Sequence, residues 1–105
     1  MKTIIIHSDF TDSPGARFIS EGPFSGQAFR EKFLEPLFIN TNETESVQIL
    51  LDGVEGYATS FLEEAFGGLA RKFGKEKVRS RLKFVSVEDP LLVDEILGYI
   101  NDSEK

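Results

Sequence analysis

The stretch Val47-Gln48-Ile49-Leu50-Leu51 is the feature that most constrains the fold. A nearly continuous apolar run of this length is the mark of a strand buried on both faces of a parallel sheet. A parallel neighbour requires a crossover of a dozen or more residues, and a helical pattern lies on each side. Upstream, Ser25 reads as an N-cap, and Phe29, Phe33, Leu34 and Leu37 follow at helical spacing, with Pro36 expected to end or kink the helix in its last turn. Downstream, Phe61, Leu62, Ala65, Phe66, Leu69, Ala70 and Phe73 form one broad apolar stripe, and Gly74 is a helix stop. Two further strand patterns run from Thr3 to His7 and from Leu82 to Val87, and Asp89-Pro90 opens a last helix carrying Leu92, Val93, Ile96, Leu97 and Ile100. Between the turn signals Pro14-Gly15 and Gly22-Pro23, Arg17-Phe18-Ile19-Ser20 reads as a short edge strand, and Asn40 to Glu45 as a polar loop. This order predicts an α/β fold, a mainly parallel sheet of about four strands with about three helices packed against it through right-handed crossovers.

A length of 105 residues suits a single domain spanning 1–105. Ten phenylalanines and no tryptophan point to a core built on Phe. The absence of cysteine excludes disulfides, thiolate metal sites and cysteine nucleophiles, and a single histidine excludes a His-rich metal centre. The run Ile4-Ile5-Ile6 is cut short by His7, Ser8 and Asp9, and no apolar stretch approaches membrane-spanning length, so a cytoplasmic location is expected. A net charge of −6 argues against nucleic-acid binding through the whole surface. From Arg71 to Lys83, however, seven cations face one acid, Glu76. That stretch reads as a solvated helix end and loop. The alternative is a docking patch for an acidic partner or a phosphate group.

Candidate chemistry is sparse. His7-Ser8-Asp9 holds the residue types of a hydrolase triad, but adjacent side chains do not converge as that mechanism requires. Gly67-Gly68 lies inside a helical pattern rather than ahead of one, so it reads as close helix packing and not a phosphate loop. The pairs Glu63-Glu64 and Asp94-Glu95 are adjacent and make poor carboxylate dyads or metal sites. No catalytic constellation and no cofactor is expected. The informative segment is Asp52 to Leu69, a strand end running through a turn into a helix opened by Thr59-Ser60. Ser60 and Glu63 have the spacing of a capping box, with Ser60 as N-cap. A phosphate on Ser60 would meet the positive end of the helix dipole, while Glu63 and Glu64 would repel it.

The stretch Ala58-Thr59-Ser60-Phe61-Leu62 resembles the strand-turn-helix motif of STAS domains, the fold of bacterial anti-sigma factor antagonists, in which the second of two serines is phosphorylated by a partner kinase. Closer is the similarity to the STAS-like family of unknown function. It rests on Ser25-Gly26-Gln27-Ala28-Phe29-Arg30 with Leu34-Glu35-Pro36, and on Asp52-Gly53-Val54 with Ser60-Phe61-Leu62-Glu63-Glu64-Ala65-Phe66-Gly67. The chain departs from the STAS motif at Ala58, where the motif has aspartate, and at Phe61, where it has glycine. The resemblance implies a non-catalytic signalling module of STAS-like fold, with Ser60 as phosphoacceptor and Thr59 beside it. Asp52, Glu55, Tyr57, Ser60, Phe61, Glu64, Arg71 and Lys72 would form the partner surface, and the partner would be a histidine-kinase-like ATPase acting as serine kinase or anti-sigma factor. No membrane or direct nucleic-acid contact is implied, and a homodimer is open. The competing expectation is a nucleotide- or anion-binding regulatory domain that uses the strand-end loops. An enzyme with a dispersed site ranks last.

Overall fold

Three parallel strands frame the protein in a computed structural model that describes residues 2–39 and 45–103. They are β1 (Lys2–Ile5), β2 (Val47–Leu50) and β3 (Leu82–Val85), with β2 in the centre. The register aligns Thr3 with Gln48 and Lys83, and Ile4 with Ile49 and Phe84. Ile4, Val47, Ile49 and Leu82 are buried, whereas Thr3, Ile5, Gln48, Leu50, Lys83 and Val85 are exposed or half-buried. The sheet is therefore fully covered on one face only, against the expectation of burial on both. The reason lies in the polar row Thr3-Gln48-Lys83, which would strand three hydrogen-bonding side chains if covered by a helix.

Helix α1 spans residues 26–39 and α2 spans residues 59–73, each containing one wide π turn, Arg30–Leu34 and Glu63–Gly67 respectively. α3 is Lys75–Arg81 and α4 is Pro90–Asn101. The Ser25 hydroxyl accepts from the Ala28 N–H at 3.1 Å, as its N-cap assignment requires. Pro36 does not end α1, because the π turn just before it opens the ladder where the ring would otherwise meet the preceding carbonyls. Gly74 closes α2 at φ +102° with its N–H on the Ala70 carbonyl. Phe29, Phe38, Phe61 and Phe66 are fully buried, and Phe10 joins the Phe29 ring at 5.2 Å, so the core is built on Phe as composition suggests.

Three expected elements differ. The first strand stops at Ile5 rather than reaching His7, because Ile6–Phe10 coils into a π turn closed by the Thr11 N–H on the Ile6 carbonyl. Arg17-Phe18-Ile19-Ser20 is not a strand: Ile19–Glu21 forms a 3-10 turn. The Glu21 carboxylate accepts the Arg17 and Phe18 N–H groups at 3.2 and 3.0 Å, removing the donors a strand would offer a neighbour. Among the described residues the sheet thus has three strands rather than four. The basic stretch is not a loop either, since α3 occupies most of it and raises the helix count above three. The polar loop expected from Asn40 lies outside the described residues except for Glu45. No helix among the described residues is long and apolar enough to cross a membrane.

Candidate functional site

The carboxyl ends of parallel strands are where α/β folds open their binding crevices, and a crevice of about 340 Å³ lies there. Leu51, Val54, Tyr57 and Leu92 give it apolar walls, and Asp52, Glu55, Glu88, Asp89 and Glu95 make it acidic. The loops after β2 and β3 are clipped together by Asp52. Its carboxylate accepts from the Val87 N–H (2.8 Å), the Glu88 N–H (3.1 Å) and the Ser86 hydroxyl (2.9 Å). Those bonds, the Val87 N–H foremost, hold the Asp52 carboxyl below its ordinary range. Glu88 answers by accepting the Gly53 N–H at 3.0 Å. Gly53 itself sits at φ +90° against the His7 ring, with which a Cβ would collide at 3.0 Å. His7 therefore packs on a turn rather than joining Ser8 and Asp9 in a site, and the Asp9 carboxylate instead accepts the Ile5 N–H on the edge of β1. The Tyr57 hydroxyl donates to the Leu51 carbonyl at 2.8 Å, and burial, with Asp52 and Glu88 nearby, pushes the phenol pKa up.

Helix α2 starts at the lip of this crevice, and the expected capping box is absent. Ala58 is the N-cap and makes no side-chain bond to the first turn. Thr59 is exposed and lies beside the Tyr99 hydroxyl, while Ser60 is half-buried and, among the described residues, its hydroxyl has no hydrogen-bond partner. Glu63 is drawn away by stronger partners, two arginines, which explains why it leaves the Ser60 backbone alone. Replacing Ala58 with Asp supplies the missing acceptor and should stabilise the fold by about 1 kcal/mol. Urea unfolding measures this, and an unchanged midpoint would mean that the first-turn N–H groups are already satisfied by water.

Along the seam between α1 and α2 runs an unbroken chain of ion pairs: Arg71, Glu63, Arg17, Glu64, Arg30, Glu35, Lys72. Arg17 Nη1 lies 2.5 Å from Glu63 and 3.3 Å from Glu64. Arg30 lies 2.5 Å from Glu64 and 2.8 Å from Glu35, Lys72 is 2.8 Å from Glu35, and Arg71 pairs with Glu63. Gly67 and Gly68 make room for it. A Cβ on Gly68 would stand 2.6 Å from Arg30 Nη1, and one on Gly67 2.7 Å from the Glu63 carboxylate. The close packing expected of the glycine pair is thus against charged side chains.

The predicted site residues fall into three groups. Asp52, Glu55 and Tyr57 line the crevice, with Ser60 and Thr59 on the adjoining turn. Glu64, Arg71 and Lys72 belong to the ion-pair chain, about one or more helical turns further on. Phe61, expected at the surface, is fully buried and packs near the Tyr57 ring, because it belongs to the apolar stripe of α2. Arg17, Arg30, Glu35, Ser86 and Glu88 were not singled out. All five act through partners distant in sequence, and for Ser86 and Glu88, in the loop after β3, strand-end position is the only available signal.

The chain also sets an acid limit. Burial alone would raise the Glu35 carboxyl, but the bonds from Lys72 and Arg30 outweigh it and hold the pKa below 4.5; Arg71, then Arg17, lower that of Glu63 against the opposing effect of burial. A folded pKa below the unfolded one gives stability that is present above the unfolded value and lost as pH falls through the folded one. Melting temperature should therefore drop below about pH 4.5, and Glu35→Gln should melt lower at neutral pH yet lose less on acidification. Parallel pH curves for the two proteins would refute the assignment to Glu35.

A family model described as "STAS-like domain of unknown function (DUF4325)" matches residues 25–92. No curated protein and no solved structure matches the chain at a significant level.

Proposed function

Because the chain belongs to the STAS-like domain family of unknown function, we propose that it is a non-catalytic signalling module, binding a protein partner at the crevice face and switched by phosphorylation of Ser60. The observation that carries this reading is the state of Ser60 itself. It stands in the first turn of an α2 that lacks a side-chain cap, beside the crevice, with a hydroxyl that no structural bond consumes. A serine that caps its helix has a sufficient reason to be there; this one does not cap. The acceptor chemistry suits the position, since a phosphate there meets the N-terminal N–H groups and the positive end of the helix dipole. Thr59 is the neighbouring hydroxyl and the second acceptor.

Binding rather than catalysis is favoured by how the crevice groups are used. Asp52, Glu88 and the Tyr57 hydroxyl are each held in a bond that orders a loop, so none is poised to exchange a proton with a substrate. The acidic lining also opposes the nucleotide-binding alternative, because five carboxylates repel phosphate, and it suits a partner that presents a basic surface. The proposed partner is a histidine-kinase-like ATPase acting as serine kinase. Phosphosite mapping of the protein from its native cells, with peptides covering Gly53 to Arg71, tests the reading. Phosphate on Ser60 or Thr59 is the expected result, and fully covered unmodified peptides across several growth conditions would overturn the switch.

A further inference from the structure

Val87 and Leu91 are the most exposed large apolar side chains among the described residues, at 81 % and 75 %. Both are chain neighbours of residues that line the crevice: Val87 lies between Ser86 and Glu88, and Leu91 precedes Leu92. Neither sits on loose chain. Asp52 holds the Val87 N–H at 2.8 Å, and Leu91 is in the first turn of α4, where the Leu92 N–H bonds the Asp89 carbonyl at 3.0 Å. Apolar side chains held out in water on ordered backbone, next to a crevice walled by Leu51, Val54, Tyr57 and Leu92, make a surface suited to docking.

The charges around that surface decide what docks. Asp52 and Glu88 are taken by loop N–H groups, and Glu95 accepts the Tyr99 hydroxyl at 2.6 Å. Glu55 and Asp89 have no side-chain partner among the described residues. Asp89 does not even cap the helix it opens, although aspartate is well suited to that task. No Lys, Arg or His is among the lining residues. Like charges gathered without a counter-charge weaken a fold, so these two carboxylates have no use within the chain.

We propose that the crevice receives an arginine side chain of the protein partner, its guanidinium paired with Glu55 and Asp89 and its stem against the apolar walls. Apolar residues on either side of that arginine cover Val87 and Leu91. This deepens the reading of the crevice as the partner face and rests on it. The crevice volume of about 340 Å³ stands at the low end of the roughly 300–1,000 Å³ found for ligand pockets, which suits one long side chain better than a nucleotide. Arginine fits this lining better than lysine. Its flat, weakly hydrated guanidinium stacks on an aromatic ring and serves two carboxylates at once, whereas an ammonium holds its water. The ring on offer is Tyr57, fixed by its hydroxyl on the Leu51 carbonyl.

Two peptides test this on the full chain: acetyl-Leu-Arg-Leu-amide, and the same peptide with citrulline, whose neutral urea replaces the guanidinium at equal length. The arginine peptide should move the amide NMR signals of Glu55, Gly56, Val87 and Leu92. It should bind about fivefold tighter than the citrulline peptide, the gain expected of a cation on an aromatic face with a partly shielded charge pair. Salt at about 0.5 M should shrink that preference. In the double variant Glu55→Gln, Asp89→Asn, which breaks no side-chain bond, the preference should vanish while the melting temperature holds or rises. Equal affinities of the two peptides for the native protein would overturn the proposal, as would a preference that survives in the double variant. Signals that stay in place up to about 10 mM peptide, or that move only elsewhere, would overturn it too. Neither peptide carries phosphate, so the result is independent of Ser60. Unmodified native peptides would overturn the switch and leave the arginine pocket, whereas equal affinities would overturn the pocket and leave the switch.

Discussion

Arg81→Ala should lower stability by about 3 kcal/mol, or roughly 15 °C in melting temperature for a domain of this size. Arg81 is only 5 % exposed although it comes from the most basic part of the chain. Its guanidinium donates to the Leu37 carbonyl at 2.5 Å and through Nε to the Glu45 carbonyl at 3.0 Å, and it lies 4.6 Å above the Phe38 ring. Leu37 is in the last turn of α1, where carbonyls have no intrahelical partner. One side chain therefore closes α1, holds the chain entering β2 and covers a core phenylalanine, all from the end of α3. Truncation leaves two carbonyls to find water and removes a cation from an aromatic face. Arg81→Met, which retains the apolar stem over Phe38, should lose about half as much. Chemical unfolding of the three proteins measures both effects. A loss below about 1 kcal/mol for the alanine variant would mean that water replaces the guanidinium without penalty.

The fate of that basic stretch illustrates what the sequence discloses and what it hides. Elements fixed by local patterns were legible: the apolar run of β2, the stripe of α2, the Ser25 cap three residues ahead of the N–H it accepts, and the Gly74 stop. Elements fixed by distant partners were not. Ser60 and Glu63 satisfy the spacing of a capping box, yet Glu63 bonds Arg17 from 46 positions away, and no local rule reveals a competitor at that range. Arg17 to Ser20 has strand composition, but Glu21 takes two of its N–H groups. Lys75 and Arg79 look like solvated charges, yet both donate to Asn101 at the end of α4. Phe61 is instructive in the opposite sense. Its periodicity placed it in the core while resemblance placed it on the partner surface, and burial follows periodicity, because filling an apolar stripe is enforced by the free energy of the fold. At the candidate site, the strand-end position and the loop residues Asp52, Glu55 and Tyr57 were legible. The ion-pair seam was not, since only its glycines left a trace in the pattern.

Gly26→Ala should destabilise the protein by about 2–3 kcal/mol even though alanine favours helix over glycine. The first residue of α1 touches α2 through its backbone. A Cβ added there would stand 2.5 Å from the Phe61 carbonyl oxygen, 3.0 Å from Glu64 Cβ and 3.2 Å from the Ala65 N–H nitrogen. A backbone oxygen inside a helix has no rotamer by which to withdraw, so the helices must separate, and packed interiors feel a displacement of that size. Gly98→Ala is the internal contrast, because Gly98 lies within α4 with open space around its missing Cβ and should gain up to about 1 kcal/mol. The separation also reaches the functional face. Arg30 spans the same seam to Glu64 at 2.5 Å, and Arg17 meets Glu64 from the other side. Gly26→Ala should therefore move the amide NMR signals of Ser60, Glu63 and Glu64, and Gly98→Ala should leave them in place. Equal unfolding midpoints for the two variants would show that α1 and α2 tolerate a wider spacing, and the ion pairs of the seam could not then depend on the close approach of the two helices at Gly26.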